Sequence, residues 1–335
     1  MEFATIKGIG FLMKSPLKTG HLWRHLYAWG LIIFSIFPIY VVIQSSFDPS
    51  GSLASSSLWP SRFSWKNYQT LFTLESVPYL TWVKNSVVLA SANALISVFI
   101  GAASAFAFSR LRFKGRKTGL QALLLVQVFP SFLALAAIYV MMERVYTVFP
   151  SIGLGSLGGL LIIYLGGSMG VNAWLLKGFI DTVPLELDEA ARIDGASTAQ
   201  VYWLIFFPLA APVLAVTALL SFIGTFNEFV LASLFLQDIN QRTVAVGLQQ
   251  FVGAQFGQNW GPFAAGSLLA AIPLVALFLS LQRYIIGGLT AGSNYGVTYY
   301  VQQVYSASQF VVSTTPGYTT ALTLTATTGT MSAQV

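Results

Sequence analysis

The chain of 335 residues contains no cysteine. A disulfide framework, thiolate chemistry and Cys-ligated metal sites are therefore excluded. His21 and His25 are the only two histidines, both at or ahead of the start of the first apolar run. They leave no basis for a His-based catalytic or zinc constellation. Charge is also scarce. Asp, Glu, Lys and Arg make up 8% of the residues, against about 25% in an ordinary soluble domain. A phosphate-cradling G-x-x-x-x-G-K-[ST] loop is missing too. Gly115-Arg116-Lys117-Thr118 looks like the end of one but lacks its paired glycines. The chain is thus not read as an enzyme, and hydrolysis of ATP would need another polypeptide.

Apolar residues fill the space that charge leaves. They account for 55% of the chain, and the mean hydropathy is +0.71. Crossing the hydrocarbon core takes about 20 mostly apolar residues. Six stretches qualify: 25–46, 84–108, 119–141, 157–180, 204–226 and 262–286. In lipid a backbone must satisfy its own hydrogen bonds, so each is expected to be helical. The expected fold class is an all-α membrane protein with six transmembrane helices. The first stretch is long, starts late and has no small-residue cleavage site close behind it, unlike a signal peptide.

Orientation is read from Lys and Arg. With the N-terminus inside, twelve basic residues fall on the cytosolic side and five on the outer side, and five of the twelve crowd into 110–117. Both termini are then cytosolic by the positive-inside rule. A pI near 9.5 invites a nucleic-acid reading, but basic residues flanking apolar spans are ordinarily topology determinants. No nucleic-acid partner is expected.

The most informative segment runs from Pro184 to Pro208, in a cytosolic loop on this topology. Pro184 suits a first helical turn, with Thr182 or Asp181 as a cap. Glu186, Asp188 and Glu189 place negative charge where the helix dipole favours it. Gly195 suits a left-handed stop, and Ser197 with Gln200 forms a capping box for a second helix. The pattern predicts a peg of about nine residues, roughly 13 Å long at 1.5 Å per residue.

Glu189-Ala190-Ala191, Gly195, Ile205 and Pro208 match the pattern E-A-A-x3-G-x9-I-x-L-P, with Phe207 in place of its Leu. The segment thereby resembles the membrane subunits of binding-protein-dependent ABC importers. Further stretches resemble the smaller, MalG-type permease subunit of maltose and maltodextrin importers. They include Asn85-Ser86-Val87, Ala105 to Gly115, Gln127 to Pro130, Gly159 to Gly167, Thr243 to Phe251, Trp260 to Ala265 and Gly288 to Gly292. The similarity covers residues 25–292.

The resemblance implies an ABC importer permease fold whose cytosolic coupling helix docks in a groove of an ATPase subunit. Glu189, Ala190, Ala191, Asp194, Gly195 and Pro208 are the residues it assigns to ATPase coupling. It implies no cofactor on this chain, with ATP and Mg on the partner ATPase. The partners implied are a second, MalF-like permease subunit, an ATPase dimer, an extracytoplasmic sugar-binding protein and the lipid bilayer. The cytoplasmic membrane of a bacterium or archaeon is the expected location, and an oligosaccharide of the maltose or trehalose type the expected cargo.

Three regions follow: a cytosolic segment 1–24, a permease domain 25–292 and an extension 293–335. Within the domain lie a coupling loop, 181–203, and an outer loop, 227–261. Gln249 and Gln250 in the outer loop are candidates for binding-protein contact. The first outer loop, with Trp59, Trp65 and Tyr68, is a weaker one. Asn172, Asn227 and Glu228 are candidates for the substrate path or gate, because polar groups inside a membrane are costly and often functional. Interhelical hydrogen bonding is the competing explanation, and the stronger one for Gln127.

The extension carries no charge and is rich in Thr, Ser, Val and Tyr. Alternation in Val297–Val301 and Ala321–Thr325 points to strands. An ABC permease for another solute, such as glycerol phosphate or an amino acid, is the main rival. A secondary transporter would want paired intramembrane charges, which the spans lack.

Overall fold

The computed structural model describes residues 22–50, 63–128, 131–253 and 259–290, together with 323–327 and 330–334. They divide into two compact units, residues 1–79 with 248–270 and residues 80–247 with 271–335.

In the first unit, α1 (Leu22–Phe47) is exposed along its apolar length, with Trp23, Tyr27, Ile33 and Phe34 all outward. Such a surface is stable only against lipid or another apolar partner. Its last residues meet α2 (Lys66–Thr73) through buried Asn67. The Asn67 amide donates to the carbonyls of Ser45, Ser46 and Asp48 at 3.4, 3.0 and 2.8 Å. Phe47, Phe63, Trp65 and Tyr68 form an aromatic cluster over this joint. Trp65 and Tyr68 are therefore partly spent on packing, and Trp59 lies outside the described residues.

The second unit holds most of α3 (Tyr79–Arg110) and α6 (Leu157–Ile180). Two apolar cores form at opposite ends of these helices. Leu89, Met142, Leu160, Tyr164 and Phe235 belong to one. Val98, Phe106, Leu176, Ile180, Phe206 and Leu214 belong to the other. Within the second core, between Val98 and Ala102, Gly101 brings α3 close to α6, since a Cβ there would lie 2.8 Å from Asn172 Cβ. Small residues permit such approach between membrane helices.

Three helices are long and apolar enough to cross a membrane among the described residues: α1, α3 and α13 (Trp260–Thr290). Two bent pairs raise the number to five if each is one span. The first pair is the two halves of α6, at 43°. The second joins residues 198–209, comprising α8 (Thr198–Gln200), a π-helical stretch (Val201–Phe206) and α9 (Phe207–Leu209), to α10 (Ala211–Phe226). Its bend is 74°. Pro208 and Pro212 account for it: each lacks an N–H, and the Pro212 ring opposes the carbonyl four residues back.

The stretch expected as a single helix over 119–141 is instead broken. It comprises α4 (Arg116–Val128), a 3₁₀ turn (Ser131–Ala134) and α5 (Leu135–Val148). Pro130, which lacks the N–H that a helix interior uses, falls in the sequence between α4 and the 3₁₀ turn; residues 129–130 lie outside the described residues.

In the extension, β1 (Thr323–Thr327) pairs antiparallel with β2 (Thr330–Gln334), Thr323 opposite Gln334 and Thr327 opposite Thr330. The strand expected over Ala321–Thr325 is met over Thr323–Thr325, and residues 321–322 lie outside the described residues. It is a departure from an all-α chain. The stretch Val297–Val301 lies outside the described residues.

Candidate functional site

The peg is α7 (Glu186–Ile193), eight residues long. Glu186, Asp188 and Glu189 occupy its first turn, as the sequence pattern predicts. Gly195 follows at φ +85°, in the left-handed region that a side chain would strain. The capping box is complete: Gln200 N–H donates to Ser197 Oγ, and Ser197 N–H donates to Gln200 Oε1 at 2.8 Å.

The N-terminal end differs from expectation. The helix is preceded by Leu185, without a side-chain cap, and Pro184 stands one residue further out. Asp181 and Thr182 do not cap it because both are committed to the end of α6. Thr182 Oγ1 donates to the Phe179 carbonyl at 2.7 Å, and Asp181 accepts from Ser109 Oγ at 2.6 Å and from Lys177 Nζ at 2.5 Å. Burial opposes ionisation of Asp181. The hydrogen bonds from Lys177 and Ser109, with the charges of Lys177 and Arg116, outweigh it and hold the carboxyl below its ordinary range.

The two faces of α7 differ. Asp188 and Ala191, three residues apart on one face, are buried against the chain's own bundle, with Ala191 in the same core as Phe206. Leu187, Glu189, Ala190, Ile193 and Asp194 are exposed, as are Gly195 and Pro208. Ala191, expected to meet a partner, is thus turned inward.

Asp188 pairs with Arg110, the last residue of α3, at 3.2 Å between Oδ2 and Nε; the two side chains are only 9% and 5% exposed. Arg110 also donates to the carbonyls of Ile180 at 3.1 Å and Val183 at 2.5 Å, and its guanidinium lies 5.0 Å from the centre of the Phe206 ring. Burial pushes the Asp188 carboxyl up, opposed by Arg110 and Arg192. Sequence reasoning had Arg110 only as a topology determinant. Its position at the end of a long apolar helix was visible, but its partner was not.

The polar residues inside the apolar helices are engaged with neighbouring helices. Asn172 Nδ2 donates to Ser221 Oγ at 3.2 Å, and Gln127 Nε2 to the Gly167 carbonyl at 3.0 Å. Asn93, which sequence reasoning passed over, donates to Thr225 Oγ1 at 2.7 Å and is buried. Glu228 accepts from the N–H groups of Leu231 and Ala232 at 2.8 and 2.9 Å, capping α11 (Val230–Phe235), and from the Tyr164 hydroxyl at 2.5 Å. Asn227 is exposed and donates to the Ile223 carbonyl at 3.0 Å. Glu228 and Asn172 thus each have hydrogen-bond partners within the chain.

Residues 239–244 are fastened to the start of α3. Trp82 Nε1 donates to the Ile239 carbonyl at 2.7 Å, and Asn85 Nδ2 to those of Asn240 and Arg242 at 2.8 and 3.0 Å. Ser86 Oγ accepts from Val244 N–H at 2.8 Å. Gln237, Asp238 and Gln241 line an open concavity of about 820 Å³ with Tyr146, Ser151 and Ser156. In α12 (Val244–Val252), Gln249 is exposed whereas Gln250 is buried. Only Gln249 of that pair presents its side chain outward.

Broken apolar helices joined through a short helix with one exposed face, and tied by interhelical polar bonds, suit a chain embedded in a membrane. The same fold is found in a chain of a bacterial ABC transporter involved in the import of the acidic polysaccharide alginate. That chain has a TM-score of 0.66 and 18% identity, over 81% of this chain and 99% of that one. A second structure, with an alginate pentasaccharide-bound periplasmic protein, gives 0.59 at 17% identity, over 79% and 93%. Residues 95–290 match the model of the binding-protein-dependent transport system inner membrane components, and the chain belongs to that family. It is 40% identical to the maltose/maltodextrin transport system permease protein MalG of Vibrio vulnificus over 281 residues, 80% of this chain and 93% of the relative. With MalG of Escherichia coli K12 the identity is 38% over 279 residues, 80% and 93% of the two chains.

Proposed function

We propose that this chain is one of two permease subunits of an ABC importer for an oligosaccharide of the maltodextrin type. It crosses the cytoplasmic membrane six times with both termini inside, the broken α4–α5 stretch and the two bent pairs each serving as one span. A MalF-like subunit completes the pathway, two ATPase subunits supply energy, and an extracytoplasmic binding protein delivers the sugar. ATP and Mg belong to the ATPase.

One observation carries this reading. The exposed face of α7, with Glu189 and Ala190 outward and Gly195 at positive φ, supports reading this motif-bearing helix as the coupling helix. Leu187 and Ile193 supply apolar contact to a groove, and Glu189 offers a carboxylate to a cation on its rim. Kinship with the two MalG proteins supports the sugar. The concavity beside Tyr146, with amides, hydroxyls and the Asp238 carboxylate, fits a wet contact with the binding protein.

The test uses the full complex in proteoliposomes. Gly195→Val strains the turn, and Glu189→Lys puts a cation near a positive helix end. Both variants are expected to insert and to engage the loaded binding protein, yet to transport at least about tenfold more slowly. Wild-type transport by both would sink the assignment of α7 as the coupling helix.

A further inference from the structure

One buried guanidinium joins four pieces of the fold. Arg110 ends α3, donates to the carbonyls of Ile180 and Val183 where α6 ends, pairs with Asp188 on α7, and lies over the Phe206 ring of the π-helical stretch that leads into α10. Each contact has a physical reason. The last carbonyls of a helix lack intrahelical donors and carry its negative dipole end, so a cation suits them. A planar guanidinium serves several acceptors while its face rests on an aromatic ring, which a lysine ammonium cannot match. Separating the pair would leave the Asp188 carboxylate buried without its cation and Arg110 with carbonyls alone, a larger loss than the pair's net contribution when formed.

We propose that Arg110 is a positioning residue that makes α7 move as one body with the ends of α3 and α6. Displacement of the peg is then delivered to the spans and is not absorbed in the loop. The inference rests on the coupling role of α7 and adds to it the element through which force reaches the spans. Asp188 and Ala191 are the buried residues of α7, and Ala191 offers a methyl group alone. The ion pair is therefore the polar attachment of the peg. The other charged groups nearby serve different bonds: Asp181 takes Ser109 and Lys177, and Arg116 donates to the Ser109 carbonyl at 2.9 Å.

The test measures ATP hydrolysed per sugar transported. The assembled complex is placed in proteoliposomes with maltodextrins of two to six glucose units as the probe. In Arg110→Gln, transport is expected to fall about tenfold or more while hydrolysis by the same amount of assembled complex falls much less, because the peg stays docked but loses its attachment. Asp188→Asn removes the charge and keeps the shape, and should shift the ratio in the same direction. The double variant should be no worse than Arg110→Gln alone, since the two side chains act through one contact. Arg110→Lys keeps the charge, loses the fork, and should fall between. If Arg110→Gln does not assemble, the Lys and Asn variants carry the test.

A purely structural role would lower transport and hydrolysis together, in proportion to the complex recovered. That result, or an unchanged ratio in all variants, overturns the proposal. The Glu189→Lys and Gly195→Val variants keep Arg110 intact. Their normal behaviour would remove the coupling role of α7 itself, so the two failures are distinguishable.

Discussion

At the start of α3, residues 239–244 are held by neutral bonds: the Trp82 indole and Asn85 amide donate to carbonyls, and Ser86 accepts from Val244 N–H. At the far end of the same helix, Arg110 holds Asp188 with a charge. The contrast is between many exchangeable bonds and one that is costly to break. A neutral hydrogen bond contributes about 1 kcal/mol net, and several together make a rigid clamp whose parts are lost one at a time. A buried ion pair adds little net stability but strongly penalises separation of its partners. The first arrangement suits a fixed wall and the second a joint that must travel without opening.

Substitutions at the two ends should therefore separate stability from coupling. The largest effect is expected at Gly247. A Cβ there would lie 2.2 Å from the ring of Trp82, which is fully buried. Gly247→Ala should cost about 3 kcal/mol, from overpacking against a ring that cannot move. The loss would be seen as a lower Tm of the detergent-solubilised complex. The ATP used per sugar should stay the same in whatever complex survives, and a changed ratio would break the contrast.

A smaller effect is expected from Ser197→Ala, which removes the cap of the second helix and costs about 1 kcal/mol. Because that helix stands between α7 and the Pro208 bend, the substitution should slow transport more than it lowers Tm. The reverse order would place Ser197 with the wall.

The smallest effect concerns acid. The Asp181 carboxyl is held below its ordinary range, so its stabilisation is complete above about pH 4, the ordinary value for aspartate. It disappears as the pH falls through the lowered value. Asp181→Asn should remove part of the loss of Tm on acidification and leave the neutral-pH value nearly unchanged, since the side chain is 44% exposed. A large drop at neutral pH would mean that Asp181 belongs to the joint.

Local chemistry was legible in the sequence. Gly195, the Ser197–Gln200 box and the acidic first turn of α7 each depend on residues within one turn, so their spacing declares them. The same locality misled at Asp181 and Thr182, whose side chains were drawn back to α6. Helix breaks were half legible. Pro130, Pro208 and Pro212 mark them, yet prolines are tolerated in membrane helices, and composition alone does not distinguish a kink from a break. Long-range pairing was not legible. Nothing in a single sequence joins Arg110 to Asp188, Asn93 to Thr225 or Asn85 to Asn240. The bonds of Glu228 with Tyr164 and of Asn172 with Ser221 likewise join segments far apart in the chain.

The two faces of α7 answer to different neighbours. Asp188 and Ala191 are tied to the bundle, whereas Leu187, Ala190 and Ile193 make no such commitment to its core. Substitutions on the outward stripe therefore leave the inner seat undisturbed, and the inner seat sets the angle at which any outward stripe is presented. A helix divided in this way behaves as an interchangeable plug on a fixed socket. On the proposed coupling role, specificity for one ATPase over another could be rewritten in a few exposed positions while the inner seat keeps its shape.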